Sequence, residues 1–225
     1  MTSKLAKGQE KMRKFEIILF DLDGTIVNSE AGIIESIQHS LAYFGIYEKN
    51  ISYLRQIIGP PLEESFSYLF KFSESQIEKA VSLFRNHYAQ KGVNEFLVYQ
   101  EIPELLQSLH HSGIKLAVAT SKPTVFAEQI LKTAGLRDYF SVLVGSGREQ
   151  DLDKATIIGQ TLQAFKHIND RSILMVGDRK YDILGAKSHG LHTCAVTYGF
   201  GSLDELQLLH PDYIINAPLE LLGLL

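Results

Sequence analysis

Long apolar runs, paired cysteines and an excess of basic charge are all missing from this 225-residue sequence. No stretch approaches the roughly 20 apolar residues that span a bilayer. The opening MTSKLAKGQEKMRK is basic and polar, without the hydrophobic region of a secretory signal. The single cysteine, Cys194, has no partner for an internal disulfide, which fits a reducing cytoplasm. A net charge of -4 provides no basic footprint and argues against a nucleic acid polymer or an anionic membrane as main partner. No internal repeat or low-complexity linker interrupts the chain. With 45% hydrophobic and 21% charged residues it can bury one good core, as a large domain or a domain with an insertion. Residues 1–14 precede the first apolar segment and are expected to be a disordered extension.

What is present is concentrated first in EIILFDLDGT, where an apolar run from Ile17 meets two carboxylates, Asp21 and Asp23, separated by Leu22. On a strand, residues two apart project to one face, so the carboxylates would lie side by side while Leu22 turns into the core. Like charges that close repel. Such a pair persists where a metal ion, a shared proton or a substrate charge offsets the repulsion.

After the aspartates, Ile33, Ile34, Ile37, Leu41 and Phe44 recur at helical spacing. Further helical patterns cover 62–70 and 76–88. Twelve of the aromatic residues fall between Tyr43 and Tyr99, enough to give this helical stretch a small core of its own. From Glu101 onward, helices at 101–111, 124–134, from 154, and 180–188 alternate with strands at 115–120, 141–144, 172–176 and 192–197, and a last strand follows at 212–215. Alternation of nearly continuous apolar strands with helices predicts an α/β fold whose parallel sheet is covered on both faces. The first strand must join that sheet. Residues 29–99 are then a helical insertion between the two parts of the core, 15–28 and 100–225.

Ligands of such sheets bind beyond the carboxyl ends of the strands. The strand exits present Asp21 and Asp23, then Thr120 and Ser121, then Gly177 and Asp178 with Asp182 one turn on. Lys154 opens the helix after the third strand. Carboxylates, hydroxyls and an ammonium at one edge suit metal-assisted phosphoryl transfer. Magnesium prefers oxygen ligands and keeps several waters, so Asp21 and Asp178 are candidate ligands and Asp182 a candidate to orient a water. Asp21 is the candidate nucleophile for an aspartyl-phosphate, and Asp23 the candidate acid and base. Thr120 and Lys154 are placed to hold the phosphoryl oxygens.

DLDGT at residues 21–25, Thr120, Lys154 and GDRKYD at residues 177–182 resemble the four motifs of the haloacid dehalogenase superfamily. The match runs from about Phe15 to the C-terminus. YGFGSLDEL and PDYII extend the similarity to phosphoglycolate phosphatase-like hydrolases and their bacterial 5'-nucleotidase-like relatives. The resemblance implies a Rossmann-like core with a helical cap after the first motif, and Mg2+ as cofactor. It implies that Asp21 is the nucleophile, that Asp23 is acid and base and lends its backbone carbonyl to the metal, and that Gly24, Thr25 and Ser121 lie beside the phosphate. The chain departs from the pattern at Ser121, where the family often has Asn. It departs again at REQDLDKAT, which lacks the proline that many relatives place beside the motif lysine, and Lys122 lies near the same edge. The resemblance also sets the loop IIGPPLEE, residues 57–64, over the active site. There Gly59 supplies backbone freedom, and neighbouring Arg55 is a candidate for a substrate anion.

Other features have a plainer meaning. GSG at residues 145–147 lacks the third glycine of a dinucleotide fingerprint and is expected to be a loop turn. DLDGTIVNSEAG has its glycine at the fourth position and Gly32 at the twelfth, which excludes a calcium loop. The histidines form no metal-ligand pattern. The expected function is a Mg2+-dependent phosphomonoesterase for a small metabolite, phosphoglycolate-like or a nucleoside monophosphate, working in the cytoplasm as a monomer or homodimer. A dehalogenase lacks the second aspartate. A phosphonatase needs a cap lysine, for which Lys49, Lys71, Lys79 and Lys91 are candidates. A phosphomutase shares every motif, and a phospho-aspartate signalling protein carries its acceptor on a later strand.

Overall fold

Four consecutive buried residues, Ile17–Phe20, form β1. The computed structural model describes residues 14–147, 152–165 and 170–225. The expected N-terminal extension, save Lys14, and residues 148–151 of REQDLDKAT lie outside the described residues. Along the chain follow β2 (Val27–Asn28), α1 (Glu30–Tyr43), α2 (Ile51–Leu54), α3 (Leu62–Phe70), α4 (Glu74–Gln90), β3 (Leu97–Val98) and α5 (Ile102–His111). Next come β4 (Lys115–Pro123), α6 (Thr124–Thr133), β5 (Val142–Ser146), α7 (Lys154–Leu162), β6 (Ile173–Gly177) and α8 (Lys180–Ser188). Then come β7 (His192–Val196), α9 (Leu203–Gln207) and β8 (Tyr213–Ile215), and a 3-10 helix, Pro218–Leu224, closes the chain.

The large sheet has the order β5-β4-β1-β6-β7-β8, and all its neighbours pair in parallel. The reason lies in the strands themselves. Ile18 and Phe20 of β1 join one core cluster with Val118 and Val176, while Ile17 and Leu19 join another with Ala117 and Met175. Both faces are therefore apolar, which obliges helices to cover both. Phe20 lies opposite Val118 of β4 and Val176 of β6, so these three central strands open onto one edge.

Three elements differ from the sequence reading. The helical insertion has no separate core: Ile37, Phe66 and Phe84 belong to the same apolar cluster as Phe20 and Val118. The physical cause is Leu22 and Ile26, both fully buried just past β1, which continue the sheet's apolar face into the helices. The chain also crosses into and out of the insertion through a two-stranded antiparallel ribbon, Val27 opposite Val98 and Asn28 opposite Leu97, too short to leave a periodic signal. Finally, β4 continues past Thr120 to Pro123 across a register shift, and β5 continues through Ser146, so Gly145 and Ser146 of the GSG stretch are strand and not turn. No described helix is long and apolar enough to cross a membrane.

Within the insertion, α1 approaches the turn after α4 at a glycine contact: a Cβ on Gly32 would stand 2.0 Å from the carbonyl oxygen of Gly92. Two effects of Gly32→Ala oppose each other. Better helix propensity would stabilise by about 1 kcal/mol, whereas overpacking against backbone costs about 1–3 kcal/mol. The contact is with backbone, which cannot rotate away, so the cost prevails. The expected outcome is a lower urea midpoint for Gly32→Ala, and a raised midpoint would show that the helices are not packed this closely.

Candidate active site

The chain leaves β1 still tied to the sheet, with the Asp21 amide donating to the Val176 carbonyl at 2.9 Å. Gly24 then adopts φ +85°, and a Cβ there would lie 2.2 Å from Asp178 Oδ2. Only glycine satisfies both the left-handed backbone and that approach. The turn stacks the first motif directly on the exit of β6. Carboxylate oxygens of Asp21, Asp178 and Asp182 consequently lie within 4.8 Å of one another, all three buried. Thr25 donates its hydroxyl to Asp178 Oδ1 at 3.4 Å, and the Phe200 amide donates to Asp178 Oδ2 at 2.7 Å.

Lys154 enters from the start of α7, where Asp153 caps the helix by accepting from the Thr156 amide. Its Nζ lies 2.7 Å from Asp21 Oδ1, 2.8 Å from Asp182 Oδ1 and 3.1 Å from the Ala119 carbonyl oxygen. One ammonium thus serves two of the three carboxylates, while Asp178 is held by Thr25 and the Phe200 amide. Burial pushes the Asp21 carboxyl up to about 6; Lys154 opposes the rise and Asp182 adds to it. Asp178 is raised well above the carboxylate range, by burial first and then by Asp182 and Asp21. Lys154 is held above its ordinary value: burial works against its charge, and Asp182 and Asp21 outweigh it.

Asp23 lies apart from this cluster. Lys122 Nζ donates to its Oδ2 at 2.9 Å and its Oδ1 at 3.1 Å, and the Ser29 hydroxyl also donates to Oδ1. The like-charge crowding expected between Asp21 and Asp23 falls instead mainly between Asp21 and Asp182, with Asp23 a lesser contributor. The strand ends at Phe20, so its alternation does not carry through to Asp23, and each of the two aspartates has its own lysine. Lys154 and Lys122, alternatives for one role in the sequence, occupy two. Asp182 was expected farther from the strand exit. Its place three residues into α8, where Oδ2 accepts from the Arg179 amide at 3.0 Å, turns it back into the cluster.

A cavity of about 320 Å³ opens above these groups, lined from below by Asp21, Asp23, Thr120, Lys154 and Asp182. Ser121 and Gly59 line it too, whereas Gly24, Thr25 and Asp178 are not among the lining residues. The upper wall comes from the helical insertion through Ile57, Phe84 and Tyr88. Arg55 is not brought to the cavity: its Nε and Nη2 donate to the two oxygens of Glu30 at 2.6 and 3.0 Å.

A family model described as haloacid dehalogenase-like hydrolase matches residues 18–196. The chain belongs to that family. It is 38% identical over 206 residues to a 5'-nucleotidase of Pseudomonas aeruginosa, covering 89% of this chain and 90% of that protein. It is 33% identical over 203 residues to the tyrosine-protein kinase PtkA of Mycobacterium tuberculosis, covering 90% of this chain and 69% of the kinase. Among solved structures, a haloacid dehalogenase-like family hydrolase of Streptococcus pneumoniae superposes with a TM-score of 0.87 at 35% identity, over 93% of this chain and 98% of that one. This haloacid dehalogenase-like chain is a phosphatase.

Several groups at this haloacid dehalogenase-like site were not singled out from the sequence. Lys122 was seen only as a rival of Lys154, because SKP after Thr120 reads as a loop until the β4 register shift places it in the strand. Arg179 donates from Nε to Glu205 at 3.1 Å and from Nη1 to the Ile58 carbonyl, clasping the loop at Gly59, whose φ is +111°. Phe84 and Tyr88, read as packing, stack with ring centroids 5.7 Å apart and also face the cavity; their spacing of four marks a helix face and says nothing of what lies opposite. Tyr88 further places its ring 4.6 Å from Lys122 Nζ. Lys122 therefore joins the insertion to Asp23. Lys122→Met is expected to lower kcat about tenfold or more with a smaller change in KM, and Lys122→Arg to recover part of the loss, because the charge fixes Asp23. Equal kcat in wild type and Lys122→Met would separate this lysine from the chemistry.

Proposed function

We propose that this phosphatase is a Mg2+-dependent phosphomonoesterase that works through an aspartyl-phosphate on Asp21, under a cap formed by residues 29–99. The observation that carries the reading is the imbalance beneath the cavity, where three buried carboxylates cluster and the ammonium of Lys154 pairs with two of them, Asp21 and Asp182. Asp182 Oδ1 lies near Lys154 but outside hydrogen-bonding geometry, and has no hydrogen-bond donor among the described residues. A buried, under-compensated oxygen cluster of this kind fits a hard divalent cation. Asp21, Asp178 and Asp182 would hold it, with the Asp23 carbonyl completing the set that the family resemblance implies. Bound there, Mg2+ supplies positive charge that offsets the phosphoryl oxygens and the crowded carboxylates.

The residues divide the reaction as follows. An Asp21 carboxylate oxygen attacks phosphorus as the bond from phosphorus to the ester oxygen breaks. Asp23 gives a proton to the departing oxygen, then removes a proton from the water that attacks the phosphorus of aspartyl-phosphate. The bond from phosphorus to the Asp21 oxygen breaks, phosphate leaves, and both carboxylates return to their starting state. Lys154 and the Thr120 hydroxyl balance and orient the phosphoryl oxygens. A phosphonatase reading finds no support, since none of Lys49, Lys71, Lys79 and Lys91 lines the cavity, and Lys71 and Lys79 lie over the rings of Tyr68 and Tyr43. The 5'-nucleotidase relative favours a nucleoside monophosphate as substrate, and water, the substrate itself and a protein hydroxyl are the acceptors to compare.

Two outcomes are expected. Asp21→Asn folds and binds phosphate esters but releases no phosphate; near wild-type turnover would remove Asp21 from the nucleophile's role. The second concerns pH and metal together. A carboxyl whose folded value is raised above its unfolded one favours the fold at low pH, and that contribution is lost as pH rises through the folded value. For Asp21 in the metal-free protein that loss runs from the ordinary carboxylate range to about 6. Mg2+ should therefore raise Tm more at about pH 7.5 than at about pH 5. Equal shifts at the two pH values would contradict a site in this cluster.

A further inference from the structure

The cavity that receives the phosphate ester has no described cation left for a second anion. Its described lining carries five carboxylates, Asp21, Asp23, Glu64, Asp153 and Asp182, against four cations, Arg85, Lys122, Lys154 and Arg179. Each of those cations is already engaged. Lys154 serves Asp21 and Asp182, Lys122 serves Asp23, Arg179 serves Glu205, and Arg85 serves Glu63 at 3.3 Å. Arg55, the insertion's candidate for a substrate anion, is held by both oxygens of Glu30 and stays outside the lining.

The surface above the phosphoryl site is apolar instead. Phe84 and Tyr88 present stacked rings, Phe126 meets Tyr88 edge-on at 5.4 Å, and Ile33, Ile57 and Leu62 complete the wall. Glu64, at the start of α3, adds a negative charge to that side.

Resting on the phosphomonoesterase reading, we propose that the substrate's leaving group carries no second anion and presents an uncharged apolar or flat portion to the wall of Phe84, Tyr88 and Ile57. A carboxylate or second phosphate on that group would meet Glu64 where each described cation is already paired, which costs repulsion or the breaking of an existing ion pair. An uncharged ring there replaces water against apolar surface, and the cavity volume of about 320 Å³ suffices for one. The proposal separates the two substrate classes left open above. Phosphoglycolate, whose leaving group carries a carboxylate, becomes a poor substrate, and an ester with a neutral aromatic or heteroaromatic portion a good one.

The test compares phenyl phosphate with 4-carboxyphenyl phosphate, which differ by one carboxylate, in Mg2+ with the wild-type protein and with Glu64→Gln. The expected result is a kcat/KM ratio of about tenfold or more in favour of phenyl phosphate, reduced severalfold in Glu64→Gln. Equal or better turnover of the carboxylated ester overturns the proposal. The same pair is then measured as non-hydrolysable phosphonates, by competition and by direct calorimetry. If neither ester is hydrolysed but phenylphosphonate binds about tenfold tighter than its carboxylated partner, the phosphomonoesterase reading fails while the leaving-group preference stands. If the phosphonates bind equally, the preference itself fails.

Discussion

Everything at this site follows from placing three carboxylates together, out of water, with one lysine against two of them. A buried charge is costly unless it is paired, and Asp21, Asp178 and Asp182 outnumber Lys154. The fold must hold such a cluster against its own repulsion, and the parallel sheet does so by ending β1 and β6 side by side with Gly24 folded over the seam. In the proposed mechanism that imbalance favours a cation and, beside it, a phosphoryl group, so that stability given up at the strand exits becomes available as binding energy.

The second aspartate of DLDGT belongs to a different local circuit. Lys122 and Ser29 hold Asp23, and Tyr88 of the helical insertion covers Lys122. Asp21, the proposed nucleophile, is thus held by β6 and by Lys154 of α7, whereas Asp23, the proposed proton-transfer residue, touches groups that answer to the insertion's position. Arg179 completes the link by gripping the loop at Ile58 and Gly59 from the first turn beyond β6. Motion of the insertion would then alter Asp23 and the proposed leaving-group pocket before it altered the carboxylate cluster.

How much of this could be read in the sequence depends on how local its cause was. β1, the parallel sheet and α8 were legible because apolar runs and helical spacing are set by neighbouring residues, and the strand exits then led to Asp21, Thr120, Lys154 and Asp178 as one edge. The register shift in β4 was not legible, since SKP carries no periodic signal, and with it the pairing of Lys122 to Asp23 was lost. The aromatic residues of α4, Phe84 and Tyr88, showed their helix face but not that it borders a cavity. Arg55 illustrates the converse: its neighbourhood to IIGPPLEE is real, but Glu30, 25 residues earlier, decides where its charge goes.

In the proposed reaction phosphate passes through Asp21, and Asp23 is needed to release it. The most direct measurement uses Asp23→Asn with 4-nitrophenyl phosphate, whose leaving group departs without a proton. The reaction is quenched in acid after a single turnover, and the peptides are weighed by mass spectrometry. The account predicts release of nitrophenol with one phosphoryl group retained on the peptide that contains Asp21, because the water that would remove it has lost its base. Release of nitrophenol and free phosphate together with no modified peptide, or a phosphoryl group on any other residue, would contradict it.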